Sequence, residues 1–185
     1  MGNKVTANVA AELIAHEGLV REAYRDSVGI WTWGIGVTSA SGHKVHPRYV
    51  DNPQTLKRVF EVFEWLLRQK YVPSVDAAFQ GHTLSEAQFA AALSFHYNTG
   101  GIQRATWVRE WKAGNIDRAR QTFMNWSKPP EIIPRRAKER DLFFDGTWSH
   151  DGKATEYPVR KPSYLPDISN GKRVDIDGVL TELFG

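Results

Sequence analysis

The stretch from His16 to Gly36 constrains this chain more than any other. Upstream of it Val9, Leu13 and Ile14 recur at helical spacing, so residues 5–17 read as a helix, and Gly18 falls where such a helix stops. From Tyr24 to about Val45 the chain turns rich in Gly, Thr, Trp and Val, punctuated by Ser27-Val28-Gly29 and Ser41-Gly42-His43. That pattern predicts a small antiparallel sheet of two or three short strands. Helical periodicity then runs to residue 144, so the fold class is α+β, mostly helical with one small sheet near the N-terminus.

Asn52-Pro53 offers a cap and a first-turn proline to a helix bearing Leu56, Val59, Phe60, Phe63, Leu66 and Leu67, which Pro73 ends or kinks. Thr83-Leu84-Ser85-Glu86 has capping-box spacing and leads into a low-charge helix over 87–97, expected to be buried. Further helices are predicted at 102–113, 115–126 and 134–144. After Asp145-Gly146, the residues Pro158, Pro162, Pro166 and Asn170-Gly171 point to turns and short strands. A segment of about 35 residues without cysteine holds no core alone, so 151–185 reads as an appendage. The expected organisation is a domain over 1–150, with a sheet lobe at about 20–50 and a helical lobe at about 52–148, and an extension over 151–185 packed on it.

The absence of cysteine removes disulfides, thiolate chemistry and Cys-based metal sites together. His43 and His46 stand three apart in a turn with no third ligand in view, so neither metal nor cofactor is expected. No apolar run is long enough to span a bilayer, and the first fifteen residues lack the apolar core and cleavage site of a signal peptide. Synthesis and retention in the cytoplasm follow, without stable membrane insertion. The net charge of +3 is unevenly spread: residues 101–140 hold ten Lys/Arg against four Asp/Glu, and residues 145–185 hold five against seven. A basic segment suits an anionic partner, nucleic acid or an acidic wall polymer, and equally a solvated helical face. Nothing pairs it with base-reading side chains, so no nucleic acid is expected. Asp175-x-Asp177-Gly178 lacks the later Glu of a calcium loop and reads as a turn.

Inside the opening stretch Glu17 stands at the end of the helix, Asp26 nine positions later in a turn, and Thr32 six further on in a strand. Two acidic groups facing each other across a cleft are what glycoside hydrolysis needs, one protonating the leaving oxygen and the other managing water or the sugar cation. Singly, each residue has an ordinary explanation: a solvated helix-end charge, a turn former and a β-branched strand residue.

Jointly, Glu17-Gly18, Ala23-Tyr24-x-Asp26 and Gly29-x-x-Thr32-x-Gly34-x-Gly36 resemble the active-site segment of phage-type lysozymes, the endolysin muramidases of glycoside hydrolase family 24. Ser94-Phe95-His96-Tyr97-Asn98-Thr99-Gly100 is similar to that family's buried core helix and the turn ending it. Trp107 to Asn115, Pro134 to Arg140 and Asp145-Gly146-Thr147-Trp148 are similar to its later helices and their close, so the likeness covers roughly residues 5–148. Two departures stand out: Val37 where members often carry His, and an unfamiliar stretch over 38–53.

The resemblance implies a lysozyme-like fold whose sheet forms one wall of the cleft, and a catalytic trio of Glu17, Asp26 and Thr32. Glu17 serves as general acid, and a group in that role must hold its proton, which burial or nearby negative charge favours. Asp26 and the Thr32 hydroxyl hold a water, which predicts inversion with the carboxyls about 6.5–9.5 Å apart. The bond cut is the β-1,4 link between N-acetylmuramic acid and N-acetylglucosamine, for host lysis. Arg136 matches an arginine that pairs with the acid; a cation there opposes proton retention, and a purely structural bridge is the competing reading. Tyr97 and Asn98 match cleft-lining, substrate-binding positions, though Tyr97 also reads as a buried aromatic and Asn98 more strongly as a helix cap. Gly36, with Gly34, lets the strand approach the glycan closely and is counted with them. Implied partners are peptidoglycan glycan strands and a separate holin-type protein that lets a monomeric enzyme reach the periplasmic wall. A non-catalytic wall-binding scaffold and a lytic transglycosylase are the alternatives. In the extension, Tyr157, Arg160, Lys161, Tyr164, Lys172 and Arg173 read as packing or as wall contacts.

Overall fold

The structure, a computed structural model, describes residues 3–185; residues 1 and 2, where the expected domain and the tested signal stretch begin, lie outside it. Two compact units result: a sheet unit of Thr6–Leu66 with His150–Gly185, and a helical unit of Leu67–Ser149 with the residues up to Val5. This division differs from the expected break near residue 150, because the C-terminal segment is built into the sheet unit.

In the sheet unit, α1 (Ala7–Glu17) starts where the Thr6 side chain accepts the Val9 N–H. It buries Val9, Ala10, Ala11, Leu13 and Ile14 and ends at Gly18. β1 (Val20–Arg25), β2 (Trp31–Gly34) and β3 (Val37–Thr38) form an antiparallel meander, with Tyr24 opposite Thr32 and Thr32 opposite Thr38. Trp33 is fully buried, its Nε1 donates to the Arg21 carbonyl, and its ring stacks on Tyr49 at 3.9 Å. α2 (Leu56–Leu66) begins later than Asn52-Pro53 suggests. Thr55 Oγ1 accepts the Arg58 N–H there, while the Asn52 amide donates to the Arg48 carbonyl. Both residue types cap helices, and sequence alone does not choose between them.

The C-terminal segment forms β4 (Lys153–Glu156), β5 (Lys172–Asp175) and a helix the sequence reading missed, α8 (Asp177–Phe184). β4 docks beside β1 through Leu19, which donates to the Thr155 carbonyl and accepts from the Tyr157 N–H, each at 2.9 Å. Ala154, Ile176 and Leu180 are fully buried, and α8 packs on α1 and α2. The His150 N–H donates to Glu12 Oε2, itself fully buried.

In the helical unit, a five-residue π-helical segment, Leu67–Tyr71, precedes α3 (Val72–Ala78), so Pro73 sits in a first turn after a distortion. The core is α4 (Glu86–Thr99), buried from Phe89 through His96. Its capping box is Ser85 with Gln88, two residues beyond the predicted Thr83 with Glu86. Predicted helix 102–113 is a short 3₁₀ turn plus α5 (Thr106–Lys112), followed by α6 (Ile116–Phe123) and α7 (Ile133–Asp145). Phe79, Phe95, Trp107, Phe123 and Phe143 meet edge and face between these helices, Trp107 and Phe123 at 4.5 Å. Among the described residues no helix is long and apolar enough to cross a membrane.

Candidate active site

Glu17 is the last residue of α1 and half-buried. The chain leaves it through Gly18 at φ +70°, whose N–H bonds the Ile14 carbonyl at 3.0 Å. A side chain at 18 is disfavoured twice, by that φ and because a Cβ would lie 3.0 Å from the Tyr157 ring.

Asp26 opens the β1–β2 turn. Its Oδ1 accepts the N–H groups of Val28 at 3.0 Å and Ile30 at 2.9 Å, an Asx-type arrangement that fixes the carboxylate. Among the described residues Oδ2 has no hydrogen-bond partner. Thr32 is buried in β2, and its hydroxyl donates to the Ile30 carbonyl at 3.0 Å, leaving the oxygen free to accept.

Tyr24 ties the trio together. It stands opposite Thr32 in the register, and Asp26 follows two residues later, just past the end of β1. Its phenol is pushed up to about 12, first by burial and then by the negative charges of Glu17 and Asp26. One half-buried ring therefore senses both carboxylates. Glu17, Tyr24, Gly34, Gly36, Tyr157 and Ile168 line a recess of about 150 Å³. Asp26 and Thr32 lie on the adjoining hairpin rather than in its lining. Tyr157 and Ile168 come from the C-terminal segment, and nothing in their local sequence marks them as neighbours of Glu17.

The other expected site residues belong to the helical unit. Arg136 is almost fully buried: its Nε donates to the Trp126 carbonyl at 2.8 Å, Nη1 to Glu139 and Nη2 to Asn98. Glu139 also accepts from Ser94 Oγ at 2.6 Å and from Arg135 Nε at 2.9 Å. The carboxylate recorded with Arg136 is thus Glu139, one turn along α7, and all three guanidinium nitrogens have acceptors. Asn98 serves this network, and the residue that closes α4 is Gly100 in the left-handed conformation. Tyr97 packs on Tyr71 with ring centroids 4.8 Å apart.

The two closely spaced histidines sit in aromatic stacks, His43 bonding Tyr49 Oη at 2.7 Å and His46 lying over Trp31 at 4.9 Å. Asp175 Oδ1 accepts the Asp177 N–H at the start of α8.

The family model described as phage lysozyme matches residues 14–139, a span that holds the Glu17, Asp26 and Thr32 positions together with their spacing. The chain belongs to the phage lysozyme family. It is 29% identical over 148 residues to the endolysin of Salmonella phage P22, covering 76% of this chain and 97% of that one. The endolysin of Bacillus phage B103 is 29% identical over 167 residues, and the chain spans 59% of that relative's length. The crystal structure of a P22 lysozyme mutant matches with a TM-score of 0.64 at 27% identity, over 76% of this chain and 98% of that one. The family match stops at residue 139, short of the C-terminal segment that completes the sheet unit.

Proposed function

We propose that this phage lysozyme family member is an endolysin that hydrolyses the β-1,4 bond between N-acetylmuramic acid and N-acetylglucosamine in bacterial peptidoglycan. The observation that carries the reading is the Asp26–Thr32 pair on the hairpin that adjoins the Glu17 recess: a carboxylate held by two backbone N–H groups with one oxygen free, and a hydroxyl on the same hairpin able to accept.

In this reading Glu17 gives its proton to the glycosidic oxygen as the bond to the anomeric carbon breaks. A water held between Thr32 Oγ1 and Asp26 Oδ2 attacks that carbon from the opposite face and passes a proton to Asp26. One C–O bond is exchanged for another, with inversion and no covalent intermediate. Gly36, without a side chain in the recess, leaves room for the sugar backbone to approach. Arg136 and Asn98 act as a structural bridge within the helical unit. The enzyme works as a monomer on the periplasmic wall once a separate holin-type protein has opened the inner membrane.

General acid catalysis contributes about 10²–10⁴-fold, so Glu17→Gln is expected to lose at least about 100-fold in clearing of outer-membrane-stripped cells. Equal clearing by variant and wild type sinks the assignment. Proton NMR of the first product tests inversion, since the fresh reducing end must appear as the α anomer, and an anhydro sugar identifies transglycosylase chemistry instead.

A further inference from the structure

A second recess, about 320 Å³, lies in the sheet unit where β1 meets the C-terminal segment. Arg21, Pro53, Glu156, Tyr157, Pro158 and Lys172 line it. That volume suits a small ligand and is about twice that of the recess at Glu17. Tyr157 lines both recesses. Its ring fits against Gly18 and Gly171, where Cβ atoms would come within 3.0 and 2.7 Å of it.

The charges facing the larger recess are only partly answered. Glu156 and Lys172 are cross-strand partners in the β4–β5 register and form no ion pair with each other. Glu156 Oε1 is buried with no hydrogen-bond partner, its nearest cation being Arg21 Nε at 3.5 Å. That Nε already donates to the Gln54 carbonyl at 2.5 Å. Among the described residues the exposed Lys172 ammonium has no partner. The Glu156 side chain is 24% exposed and lines the recess, so a ligand ammonium can reach its carboxylate from there and add to the counter-charge that Arg21 supplies only at 3.5 Å. A carboxylate on the same ligand answers Lys172, while Pro53, Pro158 and the Tyr157 ring supply apolar walls.

We propose that this recess binds the short peptide that peptidoglycan carries on its muramic acid residues, with a free amine of the peptide on Glu156 and a carboxylate on Lys172. The proposal rests on the reading of the chain as a wall-cleaving enzyme. A glycan strand is itself uniform, whereas its peptides hold free amines and carboxylates a few bonds apart, matching the opposite charges offered here. The shared Tyr157 lets one branched substrate reach both recesses, sugar beside Glu17 and peptide beside Lys172.

The test uses the full chain and the synthetic tripeptide L-alanyl-γ-D-glutamyl-meso-diaminopimelate, with binding followed by NMR shifts of the Tyr157 and Gly171 amides. Wild type is expected to bind. Lys172→Gln, which is exposed and leaves no like charge opposite Glu156, is expected to bind at least about tenfold more weakly through loss of one charge-assisted bond. Lys172→Glu, checked for folding by circular dichroism because it faces Glu156 across the strands, is expected to bind at least as weakly. In a second arm KM is measured on glycan strands with and without their peptides. Stripping the peptides is expected to raise KM for wild type but not further for Lys172→Gln, so the two changes do not add. Absence of tripeptide binding, unchanged binding by Lys172→Gln, or additive effects on KM each overturn the proposal. Failure of wild type to cut either substrate overturns the enzymatic reading instead, and tripeptide binding then still decides the peptide site.

Discussion

Glu139→Leu gives a sharp test of how the helical unit is held. The Glu139 carboxylate is fully buried and takes hydrogen bonds from Ser94, Arg135 and Arg136. Leucine matches its bulk but leaves the Arg136 guanidinium, 1% exposed, without its anion. Burial already pulls that guanidinium below its ordinary pKa, and Glu139 is the charge that offsets the effect. Removing one partner of a buried pair costs about 3–5 kcal/mol. At about 2–4 °C per kcal/mol for a chain of this size, the melting temperature should fall by about 6–20 °C. Removing Arg136 as well, as Arg136→Met with Glu139→Leu, should return at least about 1 kcal/mol of that loss, because of the two guanidiniums that Glu139 answers only the less buried Arg135 is then left without its anion. Differential scanning calorimetry at neutral pH reads both variants. A Glu139→Leu chain melting within about 2 °C of wild type refutes the reasoning, since a solvated or idle Arg136 is the only way to avoid the cost.

Four further outcomes are expected. Glu17→Gln and Asp26→Asn should each lower the Tyr24 titration midpoint from about 12, both carboxylates having raised it; NMR of labelled tyrosine reads this, and no movement in either variant separates the trio. Burial lowers the pKa of His43 and His96 in the folded chain, so their contribution is complete above the unfolded value of about 6.5 and is lost as pH falls below it. Melting temperature should therefore drop between pH 7.5 and 5.5, less steeply in His96→Gln, and a flat profile contradicts the burial argument. Truncation after Ser149 exposes the faces that Ala154, Ile176 and Leu180 cover, at about 1.5–3 kcal/mol for a large apolar side chain, and strips both Leu19 hydrogen bonds. The truncated chain should lose solubility and lysis together, and a soluble, wild-type-like product argues that the segment is dispensable. Thr32→Val keeps the strand but removes the acceptor, so kcat should fall by about 10–100-fold with the fold intact by circular dichroism.

Local signals carried the residue positions. The stop at Gly18 after an apolar helix, the turn at Asp26 and the alternation through Thr32 are readable because backbone conformation there depends on near neighbours: a positive φ, an Asx-type bond, a β-branched strand. The later helices were legible for the same reason, with cap positions off by a few residues because Ser, Thr and Asn compete for one role. What joins residues far apart was decided only in three dimensions. The C-terminal segment has prolines and turns but no period long enough to announce that Leu19 would receive it, or that α8 would cover α1 and α2. Arg136 and Glu139 are a local pair three residues apart on α7, but only the packing of α4 against α7 buries them and brings Ser94 and Asn98 to bond them. Sequence alone fixed which residues stand at Glu17, Asp26 and Thr32; tertiary structure supplied the Tyr24 and Tyr157 rings around them and the second recess beside them.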